Sequence, residues 1–252
     1  MSSNWQRLRQ VLKHGWRWRI SAAEMLLKDV ADEDWKTILE VKPFTMTSPE
    51  RTFGLINAVR YVINNDIPGA LVECGVWKGG SMMAVAKTLI KLGRRDRDLY
   101  LFDTFAGMTA PSDKDSTAFE KTPPSEAYAA RSRGDGVVNW SFSPLEETQQ
   151  NLSSTGYESK YIHFVKGPVE KTIPAEAPAQ ISVLRLDTDF YESSRHELIH
   201  LFPRLSRGGV LIVDDYGHWE GARLAVDEYF AENKIPMLLN RVDYTGRVGV
   251  KL

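Results

Sequence analysis

Short apolar runs alternate with segments of helical periodicity, and this alternation constrains the fold more than any other feature of the chain. Residues 70–76 (ALVECGV) form the first run, and 77–93 follow with apolar side chains at helical spacing. Further runs lie at 98–105, 161–167, 181–189 and 208–215. Strands that are apolar throughout and separated by helices are typical of a parallel sheet covered on both faces. With closing strands at 235–240 and 246–252, the sequence predicts an α/β fold with a doubly wound, mostly parallel, seven-stranded sheet.

Two stretches lie outside this alternation. Residues 106–150 are rich in Ser, Thr, Pro, Asp and Gly and are too long for an ordinary connection, which favours a lid insertion over the substrate. Residues 1–50 precede the sheet and are expected to be an N-terminal helical extension, with Ser48 as N-cap and Pro49 at the first helical position of its last helix. We expect a single domain over residues 1–252.

Composition argues against several classes of protein. Lys and Arg total 32 against 33 Asp and Glu, so no excess of positive charge indicates a nucleic-acid partner. The single cysteine, Cys74, excludes an internal disulfide and most thiolate zinc sites, and it fits a reducing cytoplasm. No apolar run reaches the roughly 18 residues of a membrane span, and the N-terminus lacks the apolar region of a signal peptide. We expect a soluble, cytoplasmic protein.

Residues 1–20 are basic and contain no acid. Trp5, Leu8, Leu12 and Trp16 recur at helical spacing, which predicts an amphipathic helix. We favour packing on its own domain or on a second subunit over binding to a membrane surface. Because Trp and Arg are common at interfaces, a homo-oligomer formed through this segment is our hypothesis.

A glycine-rich turn follows the first predicted strand. It contains Glu73, Gly75, Gly79, Gly80 and Ser81. Glycine permits positive φ and a close approach of the backbone to a ligand. The second predicted strand ends at Asp103, an acid that could accept hydrogen bonds from both ribose hydroxyls of a nucleoside. Taken singly, the turn also fits a tight connection without a ligand, and Asp103 also fits a strand-end cap. Together they favour a nucleoside cofactor.

Four acids follow the fourth and fifth predicted strands: Asp187, Asp189, Asp214 and Asp215. Because strand side chains alternate, Asp187 and Asp189 are expected to face one site while Thr188 faces away. Carboxylates gathered at adjacent strand ends repel one another unless a cation neutralises them, and oxygen ligands without cysteine indicate Mg²⁺. A substrate hydroxyl at such a metal needs a base within reach, and Asp189 is well placed, although it also fits a role in orienting metal-bound water.

Rival motifs point to other functions. His196 and His200 in HELIH match the H-E-x-x-H pattern of zinc proteases, but Leu198 and Leu201 form an apolar helix face, and both histidines are expected on the opposite, solvated face. Asp187-Thr188-Asp189 also matches the D-x-D of metal-dependent glycosyltransferases. A non-catalytic binding protein is a third alternative, weakened by the presence of both the acids and a candidate base.

Four stretches together resemble the macrocin O-methyltransferase family: VECGVWKGGS, LYLFDTFAGM, LRLDTDFYES and GGVLIVDDYGHWEGARLAVDEYF. The resemblance runs from about Met46 to the C-terminus. It implies a class I methyltransferase-type fold and an enzyme that uses S-adenosylmethionine and Mg²⁺ to methylate a sugar hydroxyl on a natural product. The implied partner is therefore a glycosylated small molecule.

The resemblance also implies roles for individual residues. Asp187, Asp214 and Asp215 would be the metal ligands, and Asp189 the general base. S-adenosylmethionine would be held by the glycine turn with its Gly79 and Gly80, and by Thr47, Glu73, Gly75, Ser81, Asp103, Thr104 and Ser141. Pro168 stands where the family pattern leads us to expect a bulky residue, which puts local substrate contacts in doubt.

Overall fold

The computed structural model describes residues 29–117 and 123–252. The chain divides into two compact units, residues 1–36 and 37–252, and all contacts discussed below lie within the second unit. The predicted interface helix around Trp5 and Trp16 lies outside the described residues. One domain over residues 1–252 stays a prediction.

The predicted seven-stranded sheet is confirmed. Its strands are β1 (Ala70–Cys74), β2 (Leu99–Asp103), β3 (Ile162–Lys166), β4 (Ile181–Leu186), β5 (Leu205–Val213), β6 (Asn240–Arg241) and β7 (Arg247–Val250). Their order across the sheet is β3-β2-β1-β4-β5-β7-β6. Strands β1 to β5 pair in parallel, whereas β7 pairs antiparallel with both β5 and β6. The order reverses at β1, and open sheets of this kind bind ligands beyond the strand ends at such a point.

Helices cover the sheet and supply the connections predicted from periodicity. They are α1 (Asp32–Val41), α2 (Pro49–Asn64), α3 (Gly80–Lys91), α4 (Pro124–Arg131), α5 (Leu145–Ser153), α6 (Val169–Thr172), α7 (Tyr191–Leu201) and α8 (Glu220–Glu232), with 3-10 turns at Lys42–Phe44, Ser159–Tyr161 and Phe202–Arg204. The Ser48 hydroxyl accepts the N–H of Arg51, which confirms the predicted N-cap of α2. Among the described residues, no helix is long and apolar enough to cross a membrane.

The core lies around the two central strands. Every residue of β1 and β4 is buried, which explains why both are almost continuously apolar in sequence. Leu184, Leu186 and Leu211 pack there against Leu198 and Leu201 of α7. The apolar face predicted for that helix is thus confirmed, and it fixes α7 directly behind the carboxyl end of β4.

Next to the predicted acids, the end of β4 differs from the sequence expectation. Residues 181–189 were expected to be one strand, but β4 ends at Leu186, and Asp189 has φ of +67°. A left-handed residue cannot continue a strand, so the chain turns here instead of extending. The last two strands are also shorter than predicted, because residues 235–239 lie outside β6.

The insertion at 106–150 has structure of its own. Its described parts contain α4, the first residues of α5 and an isolated bridge between Ser132 and Val138. Met108 donates its N–H to the Trp140 carbonyl oxygen at 3.1 Å, which ties the two ends of the insertion together. Its predicted role as a lid over substrate stays a prediction.

Candidate active site

An open cavity of about 360 Å³ lies at the carboxyl ends of the parallel strands. It contains most of the predicted site residues, namely Thr47, Gly75, Ser81, Asp103, Thr104, Ser141, Asp187, Asp189, Asp214 and Asp215. Glu73, Gly79 and Gly80 do not line it. The volume falls within the range typical of small-molecule sites.

The glycines of the turn serve different purposes. Gly75 has φ of +82°, and a Cβ at this position would lie 2.0 Å from the carbonyl oxygen of Asp187, so the turn and the acidic loop meet here as closely as backbones can. Gly79 has φ of +86°, and its Cβ would lie 2.5 Å from the side chain of Leu152. Gly80 is similarly close to the backbone of Phe44. The last two glycines therefore permit packing, and the geometry gives no support to the predicted cofactor contact for them.

Asp103 holds the glycine turn in shape. Its Oδ2 accepts the backbone N–H groups of Val76 at 2.7 Å and Trp77 at 3.0 Å, and its Oδ1 accepts the N–H of Phe105 at 2.7 Å. Burial raises the pKa of this carboxyl, while these bonds oppose the rise. Asp103 lines the cavity, so its predicted ribose contact stays a prediction, but most of its acceptor capacity is already used by the chain itself.

The insertion supports the same turn from outside. Trp77 has φ of +48° and donates its indole N–H to the Phe142 carbonyl oxygen at 3.2 Å. Thr148 of α5 donates its hydroxyl to the Trp77 carbonyl oxygen at 2.8 Å. Ser141, also at positive φ, lines the cavity beside them. Residues 141–148 therefore belong to the scaffold of the cavity.

Arg185 organises the floor between the turn and the acids. Glu73 and Arg185 are register partners on β1 and β4, and they form a buried ion pair. Arg185 also donates to Asp187 Oδ2 at 2.6 Å and to Thr47 Oγ1 at 2.8 Å, and its Nη2 lies 2.7 Å from Asp214 Oδ1 without hydrogen-bond geometry. Burial raises the pKa of Glu73 to about 8 against the opposing charge of Arg185. Glu73 is thus a buried partner of Arg185 outside the cavity lining, and the cofactor contact predicted for it stays a prediction.

Three of the four predicted acids form a compact oxygen cluster. Asp187, Asp214 and Asp215 each offer an oxygen atom within 4.8 Å of the others. Asp214 Oδ1 and Asp215 Oδ2 are buried without a hydrogen-bond partner. Burial, followed by the charges of Asp189 and Asp187, raises the pKa of Asp215 well above its usual range. Buried carboxylate oxygens without a hydrogen bond are costly, and a divalent cation with oxygen ligands would satisfy them.

Asp189 reaches the same cluster by a different route from the one predicted. The left-handed turn, rather than strand alternation, brings its carboxyl beside Asp215, and the side chain of Trp219 also bonds to it. Burial, then the charge of Asp187, raises the pKa of Asp189 to about 7. Thr188 also lines the cavity, and its hydroxyl donates to Glu197 Oε1 at 3.0 Å. A carboxyl with a pKa near neutrality can exchange protons at physiological pH.

Arg51, on α2, is a site residue that the sequence analysis missed. Its guanidinium pairs with Asp214 and donates from Nε to Asp243 Oδ2 at 3.0 Å. Arg185 was missed as well. A signal existed for Arg185 only, because an arginine two residues before Asp187 in an apolar strand lies on the same face as that acid.

The histidines of the H-E-x-x-H motif lie away from the acids. The face expected to be solvated is only partly exposed: both residues are of intermediate burial, and the chain at Ile173 contacts His196. The His196 ring nitrogen Nε2 lies 2.9 Å from the Ile173 carbonyl oxygen, and the His196 and His200 rings contact each other with centroids 4.4 Å apart. Glu197, the acid of the motif, is buried and accepts the Thr188 hydroxyl. The motif is therefore part of the helix packing.

Aromatic side chains form one wall of the cavity. Phe190 and Trp219 are buried with ring centroids 5.2 Å apart, and Trp140 of the insertion packs edge-on against Phe190 at 6.1 Å. Trp140, Trp219, His218 and Tyr244 line the cavity. The cavity therefore offers both aromatic faces and carboxylates to a small polar molecule with apolar faces.

Comparisons with known proteins agree with this arrangement. The family model described as macrocin O-methyltransferase (TylF) matches residues 22–249. The 8-demethyl-8-(2,3-dimethoxy-alpha-L-rhamnosyl)-tetracenomycin-C 4'-O-methyltransferase of Streptomyces olivaceus is 32% identical over 84% of this chain and 76% of that protein. The demethyldecarbamoylnovobiocin O-methyltransferase of Streptomyces niveus is 32% identical over 80% and 73%, respectively. The solved structure of the O-methyltransferase NovP is 31% identical, covers 82% of each chain and superposes with a TM-score of 0.69.

Proposed function

The chain belongs to the macrocin O-methyltransferase family. From that premise we propose that it transfers a methyl group from S-adenosylmethionine to a sugar hydroxyl of a glycosylated natural product. We propose further that Asp187, Asp214 and Asp215 bind the Mg²⁺ ion that this reaction needs. The observation that carries the proposal is the meeting of two features in one cavity. A glycine turn approaches the acidic loop within backbone contact at Gly75, and unsatisfied carboxylate oxygens lie on the acidic side.

The names of the relatives support a glycosylated acceptor. One relative is named for a methylation at the 4' position of a rhamnosyl tetracenomycin, and another for methylation of a novobiocin precursor. The aromatic wall of Trp140 and Trp219 supports the same class of acceptor, because apolar sugar faces pack well on aromatic rings while hydroxyls point to polar groups.

The candidate metal-ligand atoms fit Mg²⁺. They are carboxylate oxygens only, two of them buried without a hydrogen bond, and Mg²⁺ prefers such hard ligands with positions left for water and substrate. Bound there, Mg²⁺ would lower the pKa of a neighbouring hydroxyl. Arg51 and Arg185 each contact Asp214, so this chain already offsets part of the negative charge and holds the carboxylates in place.

Asp189 is proposed as the general base. Its carboxyl lies beside Asp215 and is oriented by the side chain of Trp219, so it can accept the proton of an acceptor hydroxyl that enters the cavity beside these groups. The turn shaped by Asp103 would hold the methyl donor. Since the donor methyl is activated, what remains is alignment of donor and acceptor, to which Asp103, Trp77 and Gly75 contribute.

Methyl transfer can be tested by incubating the enzyme with S-adenosylmethionine, Mg²⁺ and a panel of deoxysugar-bearing natural products, and by measuring mass gain of one methylene unit. Activity should disappear with EDTA and return with Mg²⁺, since the acids would then repel one another without a cation. Undiminished turnover in chelator would contradict the metal assignment. Stabilisation by UDP or GDP instead of S-adenosylhomocysteine would favour the D-x-D glycosyltransferase alternative.

A further inference from the structure

Residues 112–116 of the insertion form a closed turn, called here the hook. Ser112 donates both its backbone N–H, at 2.7 Å, and its hydroxyl, at 2.8 Å, to Asp115 Oδ2. The Asp115 N–H returns to the Ser112 carbonyl oxygen at 3.1 Å. Asp115 is only 4% exposed, although this stretch of sequence is polar. A buried carboxylate held in this way is a built feature rather than a loose surface loop.

The hook caps two helices that have no side-chain cap of their own. At the start of α7, Phe190 provides no cap, and Asp115 Oδ1 instead accepts the Tyr191 N–H at 2.7 Å. At the start of α8, Trp219 provides none either, and the Ser116 carbonyl oxygen accepts the Glu220 N–H at 2.8 Å. A carboxylate at a helix N-terminus both satisfies a free N–H and complements the helix dipole.

The surrounding residues are shaped to receive the hook. A Cβ on Gly221 would lie 1.9 Å from Asp115 Oδ1, so a glycine is needed where the hook enters α8. Ser116 donates its hydroxyl to Glu220 Oε2 at 2.6 Å, and the Lys114 ammonium lies 3.4 Å from the centre of the Tyr191 ring. The insertion is therefore anchored between the two helix ends by several independent contacts.

Both capped helices lead directly out of the reacting loops. Helix α7 starts just after Asp189 and Phe190, and α8 starts at the end of the turn that follows Asp214 and Asp215. Asp189 and Asp215 contact each other across these two segments. Whatever fixes the two helix starts relative to each other also fixes the spacing of these carboxyls.

We propose that Asp115 is a positioning residue for methyl transfer: by capping α7 and packing against α8 at Gly221, it sets the spacing of the Asp189 loop and the Asp214–Asp215 loop. The insertion thereby acts on the reacting groups. This inference rests on the proposed function, because the spacing of those acids affects the reaction only if they bind the metal and supply the base.

The test compares Asp115→Ala with Asp113→Ala, an exposed aspartate of the same turn. Asp115→Ala should lower kcat by about 10- to 100-fold, the loss expected from a displacement of about 1 Å in the reacting groups. The dissociation constant of S-adenosylhomocysteine should stay within about twofold of wild type, since Asp103 and the glycine turn are untouched. Calorimetric titration with Mg²⁺ should show weaker binding. Asp113→Ala should match wild type in all three measurements.

Asp115→Asn provides the conservative rescue. Its amide oxygen can still accept the Tyr191 N–H, while its amide nitrogen meets the Ser112 donors, so kcat should lie between wild type and Asp115→Ala. If Asp115→Ala does not fold, Asp115→Asn decides by the same readouts.

Three results would overturn the proposal: unchanged kcat in folded Asp115→Ala, a matching loss in Asp113→Ala, or a loss of S-adenosylhomocysteine binding as large as the loss of kcat. The Mg²⁺ titration separates this outcome from failure of the proposed function. If wild type neither methylates nor binds Mg²⁺, the proposed function is at fault rather than Asp115.

Discussion

The two sides of the cavity satisfy their polar groups in opposite ways. On the donor side, Asp103 accepts three backbone N–H groups, and its carboxylate is well provided with partners. On the acidic side, Asp214 Oδ1 and Asp215 Oδ2 are buried without a hydrogen bond, even with Arg51 and Arg185 beside Asp214. On the donor side the chain itself supplies the hydrogen bonds of the carboxylate, whereas on the acidic side two carboxylate oxygens lack a hydrogen bond.

The hydrogen bonds of the donor side fix the shape of a backbone turn, whereas the acidic side gathers negative charge. A carboxylate with its hydrogen bonds made fixes a backbone conformation, so the donor turn is organised in advance. Carboxylates that are buried close to one another are destabilised in the charged form, and they either take up protons or bind a cation. The raised pKa of Asp189 and Asp215 shows the first response, and the compact oxygen cluster permits the second. The predictions below separate the two sides by experiment.

The largest effect is expected from Asp189→Asn. Removing the proposed base should lower kcat by a factor on the order of 10² to 10⁴ while the affinities for S-adenosylhomocysteine and Mg²⁺ change little. Steady-state kinetics at saturating Mg²⁺, together with calorimetry, would measure this split. Asp98→Asn, at the far edge of the sheet beside His163, is the matched control. Near-full turnover in Asp189→Asn would remove the base role from the acidic side.

A smaller effect concerns stability and pH. Burial raises the pKa of Glu73 to about 8 and of Asp189 to about 7, so in this range the folded chain binds protons that the unfolded chain has released. Without a divalent cation, the contribution of these groups to the free energy of unfolding is therefore present at acidic pH and is lost as pH rises towards 8.

Mg²⁺ should reverse that loss, because it binds deprotonated carboxylates. Thermal unfolding should show a Mg²⁺-dependent gain in Tm of a few degrees at pH 8 and a smaller gain at pH 6. Asp215→Asn should lose most of the gain at pH 8. Equal gains at both pH values, or an undiminished gain in Asp215→Asn, would mean that the cation binds elsewhere.

The smallest effect is expected at the histidine pair on α7. His196→Ala and His200→Ala should keep kcat within about twofold of wild type, because neither ring lies in the cavity. His196→Ala should cost about 1 kcal/mol of stability through loss of the contact with the Ile173 carbonyl oxygen, and His200→Ala less. A tenfold loss of turnover in either variant would place a reacting group outside both sides of the cavity.

Local pattern predicted the sheet and the acids well. The apolar runs at 70–76 and 181–189 became the fully buried strands β1 and β4, and the acids after β4 and β5 share one cavity. The reason given for the position of Asp189, strand alternation, was nevertheless wrong, because a left-handed turn places this residue. A single residue at positive φ is hard to predict from sequence when it is not glycine.

Long-range contacts account for what the sequence did not reveal. Gly79 and Gly80 suggested a ligand, but they make room for Leu152 and Phe44, which are distant in sequence. Arg51 pairs with Asp214, which is far from it in sequence, and no local spacing of residues predicts that pair. Patterns of strands and helices predict where side chains emerge, whereas the partners they meet depend on packing between distant segments.

The division of the cavity is tested most directly by calorimetry, in which Asp187→Asn and Asp103→Asn are each titrated with Mg²⁺ and with S-adenosylhomocysteine. Asp187→Asn should weaken Mg²⁺ binding by about tenfold or more and leave S-adenosylhomocysteine binding intact, because an amide oxygen donates less charge to a hard cation. Asp103→Asn should do the reverse, because its amide N–H groups would face the N–H groups of Val76 and Trp77 and distort the turn. Loss of both ligands in either variant, or exchange of the two effects, would contradict the division of the cavity into a donor side and a metal side.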